Sequence, residues 1–139
     1  MIEVNNLTKK SIKKKSFQKI AEIILKKELT DRSYLERNLS IVLVGQGKIK
    51  ELNKKYRKEN SITDVLSFPY DDSGEIVICP EEVKNNAKKY NSTYKEELTR
   101  VLIHGILHLL GYNHEKSEKE TKKMRKKEEY YLKLCQGII

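Results

Sequence analysis

The chain has no hydrophobic run long enough to cross a bilayer. Its most apolar stretch, Val101 to Leu110, falls short of the ~20 residues a spanning helix needs, and it carries two histidines. The opening segment, MIEVNNLTKK, lacks the apolar core of a secretory leader. Both absences lead us to expect a cytoplasmic protein. Cysteine is scarce: Cys79 and Cys135 are the only two. In a reducing compartment they make a poor disulfide, which excludes a small domain stapled by bridges. Cys79 lies in the apolar run EIVIC and reads as a buried small hydrophobe, though either thiol is an available extra metal ligand. There are no internal repeats and no low-complexity linkers. Residues 1–139 therefore read as one domain, long enough to bury a real core.

The charge is unbalanced. Lys and Arg number 29 against 20 Asp and Glu, a formal net charge of +9. That suits a polyanionic partner such as nucleic acid or an anionic membrane surface. Most of the basic residues are lysine, and Asn and Ile are also abundant, as in an AT-rich coding sequence. Charge alone is only a modest lean toward nucleic acid.

Histidine is the informative scarcity. All three histidines fall in the segment His104-Gly105-Ile106-Leu107-His108-Leu109-Leu110-Gly111-Tyr112-Asn113-His114. Residues at i and i+4 share a helical face, so His104 and His108 stand one turn apart on the same side. Gly111 suits a left-handed helix end, after which the chain can return His114 toward the other two. Either helical histidine alone would read as a core residue, but the joint pattern reads as a metal site. Three imidazoles with an open fourth position match a catalytic rather than a structural site. The spacing equals that of the zinc peptidase pattern H-E-x-x-H-x-x-G-x-x-H, but Gly105 stands where the catalytic glutamate belongs. A peptidase using that base is excluded, leaving a Lewis-acid hydrolase of some other substrate. Zinc suits the ligand set; nickel, copper and iron also accept it.

Periodicity supplies the frame. Ile2 to Val4 reads as a short edge strand, and Ser11 to Glu28 as an amphipathic helix on Ile12, Phe17, Ile20, Ile24 and Leu25. Leu39 to Val44 is a β-branched buried strand. Lys48 to Tyr56 places Ile49, Leu52 and Tyr56 on one helical face. Val65 to Phe68, closed by Pro69, and Glu75 to Cys79 are strands joined through a DDSG turn. Pro80 opens a helix to about Tyr90. Thr93–Glu96 and Ser117–Glu120 are capping boxes for the histidine helix and for a basic last helix to about Leu134. That last helix reads as a solvated face laced with i,i+4 Glu–Lys pairs. The sum is an α+β domain: a mixed sheet of about four strands flanked by helices, one of them a zincin-like metal helix.

A second constellation runs from Asn53 to Pro69. Arg57 offers a planar fork of donors matched to phosphate oxygens, able to neutralise charge developing on phosphorus. Pairing with Glu59 or another surface acid is the equal alternative. Asp64 reads as structural.

Together these segments resemble the YbeY family of endoribonucleases. The matching pieces are Asn53 with Tyr56-Arg57, then Thr63-Asp64-Val65-Leu66-Ser67-Phe68-Pro69, Gly74-Glu75-Ile76-Val77-Ile78, and His104 to His114. The resemblance implies a zinc ion on His104, His108 and His114, and a catalytic role for Arg57. It implies cleavage of single-stranded RNA, action at the 3′ end of small-subunit ribosomal RNA, and ribosome quality control, with the ribosome or its proteins as partners. Asn113 and Glu75 stand where the family usually has aspartate. Asn113 loses a charge, although its amide oxygen can still accept an imidazole N–H. Two other functions compete: a non-catalytic ribosome assembly factor whose metal clamps helix to loop, and a metallopeptidase with a glutamate supplied from elsewhere, such as Glu115.

Overall fold

The computed structural model describes residues 1–29, 37–113 and 115–139. Its elements in chain order are β1 (Ile2–Asn6), α1 (Lys14–Glu28), β2 (Asn38–Leu43), α2 (Gln46–Arg57), β3 (Val65–Pro69), β4 (Ser73–Ile78), α3 (Pro80–Lys89), α4 (Tyr94–Leu109) and α5 (Glu118–Leu134). The strands form one mixed sheet in the order β1-β2-β4-β3. β1 and β4 both run parallel to β2, and β3 closes the sheet antiparallel to β4. The expected α+β architecture is the observed one. Among the described residues, no helix is long and apolar enough to cross a membrane.

Strand alternation sorts the core into two layers. Leu39, Ile41, Leu43, Ile76 and Ile78 pack with residues of α1, α4 and α5. Their neighbours in sequence, Val44, Val77 and Cys79, join Leu66 and Ile49 of α2 in a smaller cluster. This is the period of two that sends successive side chains to opposite faces. Helix α2 therefore covers one face of the sheet, while α1, α4 and α5 cover the other. Pro69 is tolerated because β3 is an edge strand, where a missing backbone donor breaks no ladder.

Several boundaries differ from expectation. Helix α1 begins at Lys14 rather than Ser11, and its N-cap Lys13 supplies no side-chain acceptor. Helix α2 begins at Gln46, two residues before Lys48, behind an extended Gly45. The DDSG turn is shorter than read: Ser73 and Gly74 already belong to β4, with Gly74 opposite Pro69. Gly74 is there for packing, since a Cβ on it would lie 2.7 Å from Leu109 Cδ1. The i,i+4 Glu–Lys pairs expected along α5 do not form among the described residues. Lys127 instead reaches Glu28 of α1 at 3.0 Å.

Glu28 is the polar knot of the helical layer. Its carboxylate accepts from Tyr112 Oη on one oxygen, and from Tyr131 Oη and Lys127 Nζ on the other. It thus ties the end of α1 to the loop after α4 and to α5. Burial pushes the Glu28 carboxyl up, but the phenol hydroxyls and Lys127 outweigh it and hold the carboxyl below its ordinary value of 4.5. Burial and Glu28 together push the Tyr112 phenol up to about 12. A lowered carboxyl stabilises the fold above its unfolded value and loses that contribution as pH falls through the folded one. Glu28→Gln should therefore cost about 1–3 kcal/mol at neutral pH, the scale of hydrogen bonds to a charged acceptor. Urea titrations across pH should show the difference from wild type shrinking below the ordinary value of 4.5.

Candidate metal centre

Helix α4 carries the two described histidines, and both of its ends are fixed. Thr93 Oγ1 accepts from the Glu96 backbone N–H at 3.1 Å. The reciprocal arm of the expected capping box goes elsewhere: the Glu96 carboxylate takes the Ser92 hydroxyl at 3.2 Å. At the C-terminus, Gly111 adopts a φ of +99°. Its N–H donates to His108 O at 3.0 Å, and the Tyr112 N–H to Leu107 O at 3.1 Å. This pair of bonds is the Schellman ending, which consumes carbonyls that would otherwise be orphaned. The glycine does what its position in the sequence requires.

Between those ends, His104 and His108 share a face. Their ring centroids lie 4.5 Å apart in an edge-to-face arrangement at 76°. Both are half-buried, so the rings meet solvent while their stems are packed. Gly105 explains the missing glutamate. It is buried against the sheet, and a Cβ there would lie 3.0 Å from Ile76 Cγ2 and 3.3 Å from Ser67 Oγ. Ser67 Oγ donates to Gly105 O at 3.2 Å, pinning the helix to β3. Any side chain here would have to push Ile76 or Ser67 aside.

One acidic partner of the histidines was missed in the sequence. His104 Nδ1 lies 2.6 Å from Glu128 Oε1 of α5. The sequence did hold a signal for it. Met124 and Tyr131 of α5, with its C-cap Cys135, form a buried stripe, and Glu128 interrupts it at helical spacing. Glu28 was read only as the end of a helix.

His114, the third expected ligand, lies outside the described residues. Among the described residues, no group of three His, Cys, Asp or Glu side chains is placed to hold a cation. The described donors still fit a borderline divalent metal. Two imidazoles share one helical face, and the inner nitrogen of one is already engaged by a carboxylate. The Asn113 amide oxygen, which can accept an imidazole N–H, accepts the Glu115 backbone N–H at 2.9 Å. That local turn is one aspartate makes equally well. Neither cysteine is an available ligand. Both are buried in apolar clusters, and burial pushes both thiols up.

Arg57 is the last residue of α2, exposed, on the sheet face opposite α4. Among the described residues it forms no ion pair, with Glu59 or any other acid. The loop after it is shaped by Asn53, which is buried and donates to Ser61 O at 3.0 Å. The expected structural role of Asp64 is visible: its carbonyl accepts from Cys79 N at 2.8 Å and its carboxylate from Asn86 at 3.4 Å. Glu75 sits in β4 opposite Phe68 and Ser40.

A model of the family described as Endoribonuclease YbeY matches residues 3–136. A Thermodesulfovibrio yellowstonii protein named Endoribonuclease YbeY is 53% identical over 102 residues, which are 68% of this chain and 64% of that relative, a little under two thirds of its length. A Thermotoga neapolitana protein of the same name is 46% identical over 125 residues, 88% of this chain and 80% of the relative. A solution structure of a Thermotoga maritima protein superposes with a TM-score of 0.73 at 39% identity, covering 99% of this chain and 90% of that one.

The close approach at Gly105 makes a sharp prediction. Gly105→Glu, which completes the peptidase pattern on paper, should destabilise the protein by more than ~2 kcal/mol, because it both overpacks the interface and buries an unpaired charge. Thermal melts should show the loss, and a quenched peptide library should stay uncut.

Proposed function

Since this chain belongs to the YbeY endoribonuclease family, we propose that it is a metal-dependent endoribonuclease that cleaves single-stranded RNA during maturation of ribosomal RNA. The observation that carries the reading is the outward pair of imidazoles, His104 and His108, on a helix that has no room for a peptidase base. We assign one zinc ion to His104, His108 and His114, the ligand set a catalytic zinc takes with one position left open. When bound, such a cation polarises a phosphoryl oxygen and lowers the pKa of its water toward ~7.

The protein's own groups have separate tasks. His104 and His108 present nitrogens from one rigid helix. Arg57 stays charged at any workable pH and offers a fork for two phosphate oxygens, so it offsets charge building up on phosphorus. Lys54 and Lys55 share its turn of α2 and hold the RNA backbone. The relatives' shared name favours cleavage over a purely structural assembly role. Ribosomal particles are the proposed partners, and the cytoplasm the proposed location.

The test is cleavage of a single-stranded fragment from the 3′ end of small-subunit ribosomal RNA, using protein without a polyhistidine tag. Arg57→Ala should lower kcat about 10²–10³-fold with metal content unchanged, as for loss of one charge-stabilising donor. His108→Ala should lose both metal and activity. Equal cleavage by wild type and both variants would identify a contaminating nuclease and overturn the reading.

A further inference from the structure

We propose that Glu128 is a positioning residue for the metal centre: its carboxylate fixes the tautomer and orientation of His104. The inference deepens the functional reading above and rests on its assignment of His104 as a ligand.

The bond is short and specific. Glu128 Oε1 lies 2.6 Å from His104 Nδ1, across 24 positions of sequence. A carboxylate only accepts, so Nδ1 must carry the proton. In a neutral imidazole that leaves the lone pair on Nε2. The two ring nitrogens point in divergent directions, so Nε2 faces away from α5. A negative charge behind the ring also makes Nε2 a stronger donor.

The surrounding packing makes this carboxylate a fixed part of the fold. Met124 and Tyr131 of α5 and its C-cap Cys135 are buried, which seats the face of the helix that carries Glu128. Lys127, the adjacent cation, is committed to Glu28 at 3.0 Å, and Tyr131 donates to the same carboxylate. The side chains of His104 and Glu128 are 29% and 24% exposed, which shelters the bond from competing water. A solvated surface glutamate needs none of this. Its neighbour Glu129, exposed on the same helix, provides the control.

The experiment compares wild type with Glu128→Ala, Glu128→Gln and Glu129→Gln, untagged, with circular dichroism melts to place them on one stability scale. Zinc affinity is measured by chelator competition, and Co²⁺ substitution gives a visible spectrum of the ligand geometry. Long-range ¹H–¹⁵N spectra of metal-free protein report the His104 tautomer. Glu128→Ala should weaken zinc binding about 10–100-fold, the usual cost of losing a ligand's orienting partner. It should also shift the Co²⁺ spectrum and release His104 from the Nδ1–H form. Glu128→Gln keeps an acceptor oxygen and should recover most of the affinity, while Glu129→Gln should match wild type. Wild type that binds zinc, with Glu128→Ala binding equally well, overturns the role of Glu128 alone. Wild type that binds neither Zn²⁺ nor Co²⁺ overturns the metal assignment and this proposal with it.

Discussion

Helix α4 lies so close to the sheet at Gly105 that any side chain there would press on its neighbours. Gly105 touches Ile76 and Ser67 where a Cβ would already crowd them, and Gly74 makes the matching concession to Leu109 one turn further along. Both contacts face the same side of the helix as its packing on the sheet. Ser67 adds a bond to the Gly105 carbonyl, locking the same register to β3. The faces of His104 and His108 follow from this seating. A bulkier residue at Gly105 would press on Ile76 and Ser67, whereas one at Gly74 would first displace the Leu109 side chain.

The polar side of the helical layer is organised around a single carboxylate. Glu28 gathers two phenols and an ammonium from segments far apart in sequence. Each of those groups would be costly to bury alone, and each is satisfied by the same acceptor. The result fixes α5 against α1 and holds the chain leaving α4. Position 128 inherits that rigidity. A fold can place a charged side chain behind an imidazole to within hydrogen-bonding distance only when the element carrying it is immobile.

Much of the fold was legible because its signals are local. Strand alternation at Leu39 to Leu43, the proline at the start of α3, the threonine cap of α4 and Gly111 at its end each act within a few residues. The misreadings have a common physical origin. Gly74 was taken for a turn residue, yet it serves a contact with a helix that begins about twenty residues later. The lysines of α5 were given partners on their own helix, but Lys127 found a better one on α1. In both cases a tertiary neighbour decided what a local rule had assigned.

The candidate site divides along the same line. The sequence determined the spacing of the histidines, the lack of a glutamate after His104, and the positively charged character of the chain, because residue type and helical spacing are enough to specify them. Tertiary structure alone decided that Arg57 lies across the sheet from the histidines, that the two cysteines are out of reach, and that Glu128 stands behind His104. Those relations depend on which faces of separate elements meet, and that is settled by close packing between surfaces no short stretch of sequence contains.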